Sequence, residues 1–169
     1  MTPNQFQQRL KETAKELKSF VEDVAPEIAG NEAVAHFREN FDREGFVDNG
    51  LKKWADVKRR DKNSPWYGFS ANTGSHFSST RAQDKILHDT GELRDSIEYE
   101  ITGRGEVTIG SDKPYARVHN EGGTAKIFGK KAFTMPRRQF IGESSELDDR
   151  IIHELEREIG KIINNPNKP

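Results

Sequence analysis

The chain of 169 residues contains no cysteine. That excludes a disulfide framework and any thiolate metal centre, and it suits a reducing compartment. Apolar residues are scarce too. With the 14 glycines added to the 32% hydrophobic set, the share is about 40%, below the roughly 45–50% of an ordinary soluble domain. No apolar run approaches the ~18 residues of a membrane helix. The opening MTPNQFQQRLKETAKEL lacks the apolar core of a secretory leader, so none is expected. A net charge is missing as well. The formal value is −1, from 27 basic and 28 acidic side chains, so no global field draws the chain to nucleic acid. The expectation is one polar domain over residues 1–169, with a thin core and surface left for partners.

What is present is organised by period. Phe6, Leu10, Thr13 or Ala14, Leu17, Val21 and Val24 recur at steps of three and four, which predicts an amphipathic helix ending at Pro26. A second helix is expected from Pro26 to about Arg43, stopped by Gly45, so that residues 1–45 are a helical N-terminal part. Gly30 within it carries a propensity cost of about 1 kcal/mol. Leu147, Ile151, Leu155, Ile159 and Ile162 predict a C-terminal helix with acids crowding its first turns, and residues 164–169 are expected to fray. Ile97, Tyr99 and Ile101, then Val107 and Ile109, alternate about TGRGE and predict an antiparallel hairpin. Asp89 and Thr90 are candidate caps for the turn GELRDSI, and PYARVHNEGG reads as a helix ended by Gly122–Gly123. Residues 60–85 and 122–136 have loop composition and are expected to project outward. The fold class is therefore α+β: a small antiparallel sheet packed with long N-terminal and C-terminal amphipathic helices.

Chemistry-bearing patterns are weak. There is no GxSxG elbow, no phosphate-binding glycine loop and no HExxH. His88, Asp89, His119 and Glu121 are the metal combination worth weighing, and they lack a signature spacing. No catalytic residue, metal or cofactor is expected, and the chain does not read as an enzyme. Charge is more informative locally. Residues 52–62 carry six bases and two acids. Residues 126–138 hold Lys126, Lys130, Lys131, Arg137 and Arg138 without an acid, with Phe128 and Phe133 between them. This strip suits either nucleic acid, through phosphates and stacking, or an assembly arm. Residues 143–158 hold seven acids against two arginines, so copies could meet head to tail. Trp66, Tyr67 and Phe69, set in a polar loop, join the basic residues as interface candidates.

The succession NFDREGFVDNGLKKW, LHDTGELRDSI, VTIGSDKPYARVHNEGG, MPRRQFIGESSEL and a closing helix resembles the virion morphogenesis, or tail-completion, family of tailed bacteriophages, over about residues 28–163. Its most specific part is the ordered set Leu87, Thr90, Gly91, Leu93, Ser96 and Ile97, then Tyr115, Ala116, His119 and Gly122, then Pro136, Arg137 and Phe140. The resemblance implies a structural protein that completes the head-proximal end of the tail or the neck, as a homo-oligomeric ring. Its implied partners are tail-tube and neck or head-completion proteins, without membrane or nucleic acid. The implied location is the host cytoplasm during assembly, then the tail or neck of the particle. Trp54, the Leu87–Ile97 turn, Tyr115, His119, Gly122, Arg137, Arg138 and Phe140 carry over as fold and assembly positions. The chain departs from the pattern in residues 60–85 and in the Gly-Lys-Lys stretch at 129–131. A nucleic-acid-binding module using 126–138 is the alternative.

Overall fold

A computed structural model describes residues 1–70, 76–127 and 131–165. Its elements are α1 (Pro3–Ser19), a π-helical turn (Phe20–Val24), α2 (Ala25–Arg43), β1 (Gly45–Val47), β2 (Leu51–Lys53), β3 (Phe69–Ser70), β4 (His76–Phe77), a 3₁₀ turn (Arg81–Gln83), α3 (Glu92–Asp95), β5 (Ile97–Gly103), β6 (Glu106–Ser111), α4 (Ala116–Glu121), β7 (Gly123–Ile127), β8 (Lys131–Met135) and α5 (Ser145–Ile163). The fold is α+β. The strands pair only as neighbours, β1 with β2, β3 with β4, β5 with β6 and β7 with β8, so the described strands form four two-stranded ladders. The chain divides into two compact units. One comprises Met1–His36, Glu98–Gly110 and the chain from Ser144 on; the other comprises Phe37–Ile97 and Ser111–Glu143.

In the first unit, α1 opens with a capping box, in which Thr2 accepts from the Gln5 N–H and Gln5 reaches back to the Thr2 N–H. The expected break at Pro26 does not occur. Helical structure runs on through the π turn, and Pro26 sits in the first turn of α2, where proline is tolerated. The carbonyl four residues before it, on Glu22, has no proline N–H to accept and takes the Gly105 N–H instead, at 3.1 Å. Gly30 also has its reason. An added Cβ would come within 2.5 Å of the Tyr99 ring, so the helix–hairpin approach needs glycine. α1 packs along α5, which Ser144 caps through the Leu147 N–H at 3.2 Å. The frayed tail expected from 164 lies, beyond Asn165, outside the described residues.

In the second unit, the core is aromatic. Phe41 is fully buried, 5.0 Å from the Phe140 ring and 5.5 Å, edge-on, from Trp54. Asn40, also fully buried, accepts from the Val47 N–H and donates to the Phe140 carbonyl. The Trp54 indole donates to the Gln139 carbonyl at 2.7 Å. The helical N-terminal part stops at Arg43 rather than 45: Glu44 takes the left-handed conformation (φ 53°), and Gly45 already belongs to β1. The 60–85 stretch is not structureless, since it holds β3, β4 and the 3₁₀ turn. The 122–136 stretch is corrected likewise. It forms the hairpin β7–β8, registered from Gly123 opposite Met135 to Ile127 opposite Lys131. The alternation is hard to read there because the large apolar residues Ile127, Phe133 and Met135 are few and stand among Gly, Thr and Lys.

Candidate functional site

The basic run at 52–62 supplies the frame. Arg59 donates to the carbonyls of Arg81, Asp84 and Lys85 at 3.3, 2.9 and 2.8 Å. Arg60 forks onto the Glu44 carboxylate and also donates to the Asp84 carbonyl at 2.8 Å. Glu44 in turn accepts the Ile86 N–H at 2.6 Å. The Arg60 guanidinium holds the Glu44 carboxyl below its ordinary value of 4.5, against the opposing effect of burial. These arginines tie residues 81–86 to the end of α2, and that use of a basic run was not visible in its spacing.

The tied segment leads into the turn LHDTGELRDSI. Leu87 is held at φ 56°, an uncommon conformation for a bulky residue and one that surrounding contacts must impose. Asp89 pairs with Arg81 at 2.6 Å rather than capping α3. The N-cap is Gly91, at φ 85°, while the Thr90 hydroxyl accepts weakly from the Glu92 N–H at 3.4 Å. Leu93 and Ile97 are buried on one face, as their spacing predicts, and the Ser96 hydroxyl donates to the Leu93 carbonyl at 2.8 Å.

The YARVHNEGG helix forms as α4. Gly122 leaves it at φ 76°, and a Cβ there would meet the Arg137 nitrogen at 2.9 Å. The Asn120 side chain clasps the segment after Pro136, accepting the N–H groups of Phe140 and Ile141 and donating to the Ile141 carbonyl. The His119 carbonyl accepts the Arg138 N–H at 2.8 Å. Arg138 is buried, with its guanidinium on the carbonyls of Ala55 and Asp56. It is an internal tie, not a surface contact. Arg137 is exposed, against Gln139.

The two motifs meet in an open groove of about 810 Å³ within this unit. Leu87, Thr90, Gly91 and Leu93 form one wall, Tyr115 and His119 another, and Trp66 and Phe69 a third. Trp66 is 49% exposed and stacks edge-on with Phe69 at 5.2 Å; Tyr115 is 38% exposed and edge-on to His119 at 6.0 Å. Burial, then the nearby Arg138 guanidinium, hold His119 below the ordinary histidine value of 6.5, so the imidazole is neutral at pH 7. Tyr67 is half-buried and does not line the groove. His88 and His119 both border it, but Asp89 is engaged by Arg81 and Glu121 by Arg117. Among the described residues no group of three or more His, Asp or Glu is placed to hold a metal ion. Of the basic strip, Lys126 is exposed on β7; Lys130 lies outside the described residues, as does the Lys131 side chain.

Trp66, Phe69, Tyr115 and His119 thus line an aromatic groove framed by internal arginine ties. Residues 58–160 match the phage virion morphogenesis family, more than half of the chain, and the protein belongs to that family. It is thereby a phage structural or assembly protein, as the order of its motifs implies. Neither the curated proteins nor the solved structures give a match. No described helix is long and apolar enough to cross a membrane.

Proposed function

We propose that this protein completes the head-proximal end of the phage tail, or the neck, and so allows head and tail to join. The observation that carries the reading is the convergence of Leu87, Thr90, Gly91, Leu93, Tyr115 and His119 on one groove rimmed by the exposed ring of Trp66. The groove offers aromatic surface that a partner segment would remove from water, at roughly 25 cal/mol per Å², and Trp and Tyr are the usual anchors of such contacts. The occupant is a segment of an adjoining tail-tube, neck or head-completion protein. A ring closed head to tail fits this reading, since residues 126–138 hold the exposed Lys126 and Arg137 while residues 143–158 hold seven acids against two arginines. It acts in the host cytoplasm during assembly and stays in the tail or neck. A nucleic-acid role loses support from Arg138, whose buried guanidinium is bound to carbonyls and is not free for phosphate.

Deletion of the gene from an inducible lysogen tests this reading by electron microscopy of the lysate. Filled heads and separate, unjoined tails are expected, with joining restored by the wild-type gene and not by Trp66→Ala. Normal joined particles from the deletion strain would overturn it.

A further inference from the structure

The first unit leaves the N-terminal half of α1 largely uncovered, although the helix packs along α5. Residues 1–8 are all exposed, and α1 contains no buried residue. Phe6 and Leu10 are each 53% exposed, and Val21 beyond the helix is 52% exposed. The apolar stripe that periodicity assigns to a core is thus covered only at its border, by way of half-buried Leu17 and buried Phe20. A helix whose apolar face stands in water is a surface prepared for another molecule.

A second uncovered edge lies on α5. Ile152 and Ile163 are 52% and 49% exposed. With Glu156 and Gly160 between them they follow steps of four, four and three, so the four residues share one line along the helix. At Gly160 an added Cβ would meet nothing within 4 Å, so the line has an open notch at its centre.

The two edges are complementary in charge. α1 carries four bases and two acids, whereas α5 carries six acids and three bases. At 100° per residue, Lys11 lies beside Ala14 on the flank of the Phe6–Leu10 stripe, while Lys15 falls on the face opposite Phe6. Lys11 makes no ion pair among the described residues, and neither does the exposed Glu156. We propose that the Phe6–Leu10 edge of α1 in one copy docks on the Ile152–Ile163 edge of α5 in a second copy, with Lys11 facing Glu156. The contact joins two different surfaces, so repetition adds copies in one direction and can close a ring. It rests on the ring assembly proposed above and names the surfaces that form it.

The absence of cysteine makes the test direct. Phe6→Cys and Ile163→Cys chains, each with the rest of the sequence intact, are mixed and oxidised, then resolved by non-reducing electrophoresis and peptide mass mapping. A 6–163 disulfide is expected at several times the yield of a control pairing Phe6→Cys with the exposed Glu98→Cys. Adding Glu156→Lys should lower that yield about tenfold, and Lys11→Glu on the other chain should restore it. Dominant 6–6 linkage, a yield equal to the control, or linkage only to an added tail protein would each overturn the proposal. Loss of joining in the gene deletion together with failure of the cross-link would remove this interface and leave the tail-completion reading standing.

Discussion

The side-chain amide of Asn40 donates to the carbonyl of Phe140, 100 residues later, at 3.1 Å, while its oxygen accepts the Val47 N–H at 3.0 Å. One buried side chain therefore ties α2 to β1 and to the segment that follows β8. Asn40→Ala should cost roughly 2–4 kcal/mol, since two buried backbone groups lose their partner. Urea denaturation followed by Trp54 fluorescence would measure it.

Gly122→Ala meets two obstacles, a φ of 76° and the Arg137 nitrogen 2.9 Å from the new Cβ. A loss of about 1–3 kcal/mol is expected. Gly123→Ala is strained too, at φ 122°, but nothing lies within 4 Å of its Cβ, so its loss should be the smaller. Thermal melts of the two variants side by side check the order.

Stability should fall in two separate pH windows. His119 is held below its ordinary value of 6.5, so the unfolded chain takes up that proton first, and stability declines as pH drops from 6.5 toward the folded value. Glu44 is held below 4.5, so its contribution is complete above 4.5 and is lost as pH falls through its folded value. His119→Gln should remove the upper window, and Glu44→Gln should shrink the lower one, to which Asp42 and Glu158 also contribute, read as changes in the slope of unfolding free energy against pH.

Arg137 and Arg138, adjacent in sequence, should behave oppositely. Arg138→Ala removes a buried guanidinium from its part-buried bonds to the carbonyls of Ala55 and Asp56, and about 1–3 kcal/mol is expected. Arg137→Ala, on the surface, should stay within about 0.5 kcal/mol. Chemical denaturation distinguishes them.

The long helices and the 97–111 hairpin were legible in the sequence because their apolar residues keep period over many positions, as Leu147 to Ile162 and Ile97 to Ile109 do. β1 and β2 were not, since three residues each, GFV and LKK, are too short to show alternation. Pro26 misled because a proline breaks a helix only if the carbonyl it frees has no other donor, and Gly105 supplies one from a distant turn. The groove was half legible. Its motif residues could be listed from their order, but their meeting depends on Arg59 and Arg60, and an arginine that binds carbonyls looks in sequence like one that faces water. The stripe of α1 is legible as apolar but its exposure is not, because periodicity reports a face and not what covers it.

The pairing of every described strand with its neighbour in the chain also bears on how the protein reaches this state. Each ladder closes over a link of two to five residues, and none waits for a distant segment. Hairpins of this kind form in about 1–10 μs. The slow event is then the closure of loops many tens of residues long, when Asn40 and Trp54 find Phe140 and Gln139. Folding speed should therefore follow that closure and not the pairing of the strands.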